Sequence, residues 1–394
     1  MKKVFFLSDT PPLKTKGAGI SVLLFNMLSA LRSNYDLTVI TFCKEFYQYK
    51  HEIVEDNAEA NLVICDDALT GMYRSIKLGI VKSIFQSLSF LISVPRIIRM
   101  ARGNEQFFVT LIGASGRPLW KTLVLMILLP KSKHGLYIVD DLELINKNLN
   151  YRFENLIIKF FLPIVIKKSD FLITISTGLR DLYLNKYAKD SKVLFPHYKE
   201  IDKIALDEVD KDNFTFLFTG GLSLLYNDSL KAFAVALEDL KIANMKFRLI
   251  IQTYSNRSEF DKLNFNDTYV SYSSCKDRSE LLAIYQQCDC FIVPYSFDRC
   301  NQGLVSTSFP QKIAEIIQYG KKILFYGPNY SSVGEFFRIN NLKYVCNQDD
   351  KPSLQQLLTE LYLDESDFNS FYEYAYKKDF SSNSVLTIFD RITS

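Results

Sequence analysis

Histidine and tryptophan are scarce in this 394-residue sequence, with three and one respectively, and its seven cysteines form no C-x-x-C pair. His51, His134 and His197 lie far apart, so a four-ligand zinc site is not readable. An odd number of thiols, two of them (Cys288, Cys290) beside an apolar run, reads as buried reduced cysteines of a cytosolic protein. Long hydrophobic runs are also lacking. The most apolar stretches, 84–94 and 123–130, fall short of the roughly 20 residues of a membrane span. The opening MKKVFFLSDTPP breaks at Ser8-Asp9, too early for a signal-peptide core. Glycine (15) and proline (11) are too sparse for collagen-like or low-complexity chain. A formal charge of only +3 argues against a whole-protein nucleic-acid binder.

What is present is core material, 48% hydrophobic with 31 Phe and 23 Tyr, in a chain long enough for more than one compact unit. Short apolar runs predict strands near 4–7, 37–42, 61–65, 107–112, 134–139, 170–175 and 193–195. Helical periods intervene, beginning with Ile20, Leu23, Leu24, Met27, Leu28 and Leu31. The same alternation restarts after a polar stretch, with strands near 214–218, 247–251, 268–271, 290–294 and 322–325. Fully apolar strands alternating with helices imply parallel sheets covered on both faces. The expected fold is therefore α/β, with two doubly wound Rossmann-like domains facing each other across a cleft. The expected boundaries are 1–205, 206–380 and a final segment, 381–394.

Ligands of such sheets bind beyond the carboxyl ends of strands. Two glycine loops occupy matching places there: Gly17-Ala18-Gly19 after the first strand, and Gly220-Gly221 after the first strand of the second half. Neither is a full dinucleotide or P-loop motif. The segment 306–315, STSFPQKIAE, is more specific. Pro310 suits a first helical turn and Gly320 a helix end, which predicts one helix with Ser308, Lys312, Glu315 and Tyr319 on a shared face. A cation, a hydroxyl and a carboxylate so placed suit a nucleoside diphosphate, with Lys312 on phosphate and Glu315 accepting from ribose hydroxyls. Arg299 is a second available cation.

Two Rossmann-like halves, an early glycine loop and a late S-x-P-x-K-x-x-E segment ending in Gly resemble the GT-B glycosyltransferases, most closely the family 4-like retaining group that builds bacterial polysaccharides. The resemblance implies a donor site with Glu315 on the ribose, Gly220 and Gly221 facing the diphosphate, and Gly17 and Gly19 by the donor phosphates or the acceptor. It also implies that the last helix, near 383–391, crosses back onto the first domain. Two departures stand out. Thr307 occupies the place of the first Glu of the family's E-x7-E, and no cation follows Gly221 closely. Asp140-Asp141, with Glu143, follow the fifth strand, where many GT-B enzymes carry a catalytic His or acid. They are the catalytic candidates. No metal and no cofactor are expected, since the Asp pairs (Asp66-Asp67 is another) belong to the metal motif of a different, one-domain transferase fold.

Residues 68–139 carry ten basic side chains and one acid, a charge of +9 against −6 for the rest of the chain. The cations (Arg74, Lys77, Lys82, Arg96, Arg99, Arg102, Arg117, Lys121, Lys131 and Lys133) are interleaved with Ile, Leu and Phe, which suits an anionic membrane surface. The combined expectation is a cytoplasmic, peripherally membrane-associated glycosyltransferase. It would use a nucleotide sugar and a lipid-linked or polysaccharide acceptor, without nucleic acid; the sequence carries no sign of oligomeric state. A sugar-nucleotide epimerase, or a silent GT-B subunit that binds an active partner, are the alternatives.

Overall fold

The structure, a computed structural model, describes the chain except residues 15–18, 43–48, 67–78, 104–105, 114, 149–151, 202–212, 241–245, 276–277 and 367–368; for 79–83, 146–148 and 152–154 it describes the backbone alone. The chain divides into two compact units, 1–199 with 379–394, and 200–378. The second unit thus starts at Glu200 rather than at 206.

The first unit holds strands β1 (Lys2–Leu7), β2 (Tyr35–Thr41), β3 (Asn61–Ile64), β4 (Gln106–Ile112), β5 (Lys133–Ile138), β6 (Phe171–Thr174) and β7 (Lys192–Val193). They form one parallel sheet in the order β3-β2-β1-β4-β5-β6-β7. Its helices are α1 (Gly19–Leu31), α2 (Lys50–Asp56), α3 (Gly79–Met100), α4 (Arg117–Leu128), α5 (Leu142–Asn148), α6 (Arg152–Lys168) and α7 (Thr177–Tyr187). The central strand β4, QFFVTLI, is buried at every position, as a strand covered on both faces must be. On one face Phe5, Leu7, Ile40 and Phe108 pack against Phe90, Val94 and Ile97 of α3 and Leu125 of α4. Strand order reverses between β1 and β4, which defines the ligand crevice of such a sheet.

The second unit repeats the plan with β8 (Asn213–Thr219), β9 (Lys246–Gln252), β10 (Val270–Ser273), β11 (Cys290–Pro294), β12 (Lys322–Tyr326) and β13 (Val345–Cys346), parallel in the order β10-β9-β8-β11-β12-β13. Its helices are α8 (Asn227–Glu238), α9 (Arg257–Asp261), α10 (Arg278–Gln287), α11 (Gln302–Thr307), α12 (Lys312–Ile316), α13 (Ser332–Ile339), α14 (Lys351–Leu363) and α15 (Asn369–Ala375). The reversal here lies between β8 and β11. Phe216, Phe218, Leu249, Ile251 and Ile292 of the sheet pack on Leu230, Phe233 and Leu237 of α8. Two residues long, β13 has too little apolar run to be legible in sequence.

The final helix, α16 (Ser382–Thr393), belongs to the first unit. Its Phe389 ring lies 5.8 Å from Phe6. Tyr35 donates its hydroxyl to Asp390 at 2.6 Å, and burial followed by that carboxylate pushes the phenol up to about 12. A hydrogen bond to a charged acceptor contributes about 1.5–3 kcal/mol. Tyr35→Phe should therefore lower unfolding free energy by about that amount, read from urea denaturation of the full chain; an unchanged curve would show that α16 is held by its apolar face alone.

Candidate functional site

At the carboxyl end of β8 the chain turns sharply at Gly220, whose φ of +145° admits glycine and strains other residues. The Gly220 amide donates to Gln252 at the end of β9, and the Leu222 amide donates to Ser255 Oγ at 3.0 Å. A side chain at Gly221 would strike the Tyr254 ring, so that phenol lies against the loop. From the β11 side, Ser296 donates to Asp228 at 2.8 Å, and Asn301 donates to Leu224 O at 3.0 Å. The glycine loop is thus tied to both neighbouring strand ends.

Lys312 lies under this loop. Its ammonium donates to the Thr219 carbonyl, sits 3.8 Å from the Phe218 ring centroid and 5.1 Å from that of Tyr226. A β-carbon on Gly220 would come within 3.2 Å of Nζ. Burial alone pushes the ammonium down to about 7, with no carboxylate among the described residues to offset it. Glu315, only 8% exposed, pairs with Arg278 at the start of α10, and Arg278 also donates to the Tyr319 hydroxyl at 3.3 Å. Tyr285 of α10 hydrogen-bonds Thr219 and feels the Glu315 charge; burial raises its phenol well above the usual range. Lys312, Thr219, Tyr285, Glu315, Arg278 and Tyr319 therefore form one linked polar cluster beside the strand reversal of the second sheet.

The structure corrects several expectations. No single helix carries 308–319: Ser308 follows the end of α11, its amide bonded to Leu304 O and its carbonyl accepting from Tyr295, while α12 starts only at Lys312 and tightens into a 3₁₀ turn at Ile317–Tyr319. The Pro310 and Gln311 carbonyls accept from the first amides of α12, Ile313 and Ala314, so Ser308 is not on the face shared by Lys312 and Glu315. Thr307, buried, donates its hydroxyl back to Gly303 O at 2.9 Å. Arg299 is exposed in the 3₁₀ turn Arg299–Asn301 and is not part of the polar cluster. Arg278, 37 residues before Glu315, was not anticipated. Gly17 lies outside the described residues; Gly19 is the first residue of α1.

In the first unit the Asp pair after β5 divides. Asp141, buried, accepts from the amides of Glu143 at 3.1 Å and Leu144 at 3.2 Å, and so caps α5. Glu143 is exposed and pairs with Lys186. Asp140 is half-buried, and burial, then the Asp141 charge, raises its carboxyl to about 7. Lys121 was expected on the basic surface, but it is 1% exposed, ion-paired with Asp9 after β1, and 3.7 Å from the Phe42 centroid. Asp66 is fully buried and Asp67 lies outside the described residues.

Two parallel, doubly wound sheets with a glycine loop at the first strand end of the second define the GT-B fold class. No protein-family model matches the sequence, and no curated protein matches it at a significant level. Solved structures do match over their full length. The N-terminal domain of Candida albicans trehalose-6-phosphate phosphatase is 12% identical with a TM-score of 0.69, covering 100% of this chain and 96% of that one. The lipopolysaccharide outer core galactosyltransferase WaaB, in its apo form, is 11% identical with a TM-score of 0.63 over 99% and 98%. Anabaena HepE, solved with UDP and glucose, is 11% identical with a TM-score of 0.60 over 100% of both chains. At such identities the likeness is one of fold.

Glu315 is buried and ion-paired, so its removal bears on stability as well as on any ligand. Glu315→Ala removes the carboxylate to which Arg278 donates and should cost about 1–3 kcal/mol, measured by chemical denaturation, along with any loss of ligand affinity. Full stability would show that the pair is solvated in solution.

The two Asp residues should also separate. Asp141→Ala loses a cap and about 0.5–2 kcal/mol. For Asp140, a folded pKa near 7 against 3.8 unfolded means the native state holds the proton longer, so its contribution to stability is lost as pH rises from about 4 to 7. Asp140→Asn should escape that loss, so its stability relative to the parent should grow over the same interval. A constant difference across pH would place the Asp140 carboxyl in open solvent.

Proposed function

We propose that the protein is a glycosyltransferase that moves a sugar from a nucleotide-diphosphate donor to a lipid-linked or polysaccharide acceptor, with retention at the transferred carbon. The observation that carries this reading is Lys312, a half-buried lysine whose ammonium lies against two aromatic rings with no offsetting carboxylate among the described residues. A diphosphate supplies the missing negative charge, and the Gly220 turn allows its close approach. The Gly221 amide offers a further donor to phosphate oxygen, and Glu315, drawn partly from Arg278, accepts from ribose hydroxyls. The donor belongs to the second unit and the acceptor to the first, with an anionic membrane surface on the cytoplasmic side as a further partner. Among the described residues no helix is long and apolar enough to cross a membrane.

In the transfer, the bond from the acceptor oxygen to the sugar carbon forms as the bond to the leaving phosphate breaks. The electron pair departs with the diphosphate, where Lys312 and the Gly221 amide stabilise it. With retention, the acceptor proton passes to a departing phosphate oxygen. With inversion it passes to Asp140, whose raised pKa suits a general base near neutrality. One observation favours the silent-subunit reading. Thr307 turns its hydroxyl into its own helix, and it stands where the GT-B family that the sequence resembles often carries a Glu. Nucleotide binding without turnover on any acceptor would select that reading.

The test is calorimetric titration with UDP and GDP in buffers of different ionisation enthalpy. An anion beside Lys312 raises a pKa that burial holds near 7, so binding at pH 8 should take up a proton and affinity should fall as pH rises above 7. Lys312→Met should lose that pH dependence and about tenfold or more in affinity while keeping or gaining stability, because a buried charge is removed. Binding without proton uptake, or no binding of either nucleotide, would contradict the assignment.

A further inference from the structure

We propose that the first unit docks on an anionic lipid bilayer through the outer sides of α3, α4 and α6, and that apolar side chains of α3 and α6 enter the lipid interface. The inference deepens the membrane partner proposed for the protein and rests on it. The charge excess of 68–139 suggested attraction alone and gave no place to α6, which lies outside that segment.

The three helices lie side by side on one face of the sheet. Phe90 of α3 meets Trp120 of α4 edge-on at 5.4 Å, Arg117 donates to Gln86 at 3.3 Å, and Gly116 at the start of α4 leaves room for Ile157 and Ile158 of α6. Their inner sides bury Val94, Ile97, Leu125, Ile158, Leu162 and Val165. The outer sides are also apolar. On α3, Ile84, Leu88, Leu91 and Ile92 recur at spacings of four, three and one, one stripe of a helix, and Ile92 is 69% exposed. On α6, Leu156, Phe160 and Ile164 follow every fourth residue, with Phe160 at 66%. A water-facing helix would carry polar residues there.

Charge names the occupant. Each helix joins two parallel strands and runs back along them, so all three end at the amino edge of the sheet. Exposed cations gather at those ends: Arg96, Arg99 and Arg102 at α3, Lys131 and Lys133 after α4, and Lys167 and Lys168 at α6. The stretches 84–103, 117–133 and 155–168 contain no carboxylate at all. An apolar band bordered by one rim of cations fits acyl chains below a layer of lipid phosphates. A protein partner or a second copy would have to bring the whole complement of negative charge itself, and this chain presents the same cationic face to its own copy.

The experiment is flotation of the full chain with vesicles of phosphatidylcholine alone and of phosphatidylcholine with phosphatidylglycerol, beside size-exclusion chromatography and UDP titration. The expected result is binding to the phosphatidylglycerol vesicles only, incompletely reversed by salt. The variant with Arg96→Gln and Arg99→Gln should lose about thirtyfold in partitioning. The variant with Ile92→Ser and Phe160→Ser should lose at least about tenfold. Both should keep the parent's melting and UDP affinity, whatever that affinity is. If the serine variant binds like the parent, insertion is overturned while the membrane partner stands. Equal binding to neutral vesicles overturns the role of the cationic rim, and no vesicle binding, or a dimer that the serine variant dissociates, overturns the bilayer as occupant.

Discussion

The second unit is organised around an ammonium group placed where a protein can least easily keep one. Lys312 sits beneath a glycine turn, against two aromatic rings and one carbonyl, and burial lowers its pKa by desolvation alone. The aromatic faces and the Thr219 carbonyl supply partial negative charge without neutralising it. Around it the strand ends are tied by short bonds through Asp228, Ser255 and Asn301, so the loop cannot relax away from the charge. Under the proposed function, the arrangement is preorganised for an anion. That constraint makes sense of Gly220, whose backbone must pass close over Nζ at a positive φ.

The first unit handles charge differently. Its deeply buried cation among the described residues, Lys121, is matched by Asp9 across the strand reversal between β1 and β4 and rests on Phe42, so its charge is internally balanced. Among the described residues, exposed cations at the ends of α3 and α6 and just after α4 gather at one rim. The same sheet plan therefore serves two ends in this chain. One copy holds a desolvated ammonium beneath a glycine turn, and the other presents an unbalanced surface.

Much of the fold was legible because a buried parallel strand reads as an unbroken apolar run. FFVTLI and CFIVP could hardly be anything else, and the polar stretch after 199 announced the second unit. The site was less legible, because a polar cluster is assembled from elements distant in sequence. Lys312 and Glu315 stood out through local spacing, but Arg278 pairs with Glu315 from 37 residues away, and no periodicity signals that. Pro310 misled by suiting a helical first turn, when the chain there leaves one short helix and enters another, and Ser308 fell off the shared face as a result. Lys121 misled because a lone lysine in an amphipathic helix reads as exposed; only the Asp9 carboxylate beyond β1 shows why it turns inward. Asp140 and Asp141 stood together as catalytic candidates, and only the amides of Glu143 and Leu144 show that Asp141 caps α5.

The central claim is that an anion binds at the Gly220 turn above Lys312. Hydrogen–deuterium exchange of the full chain with and without UDP tests it most directly. The account expects slowed exchange concentrated at the amides of 219–222 and 312–315, and lost in Lys312→Met. Protection confined to other segments, or unaltered by that substitution, would contradict it.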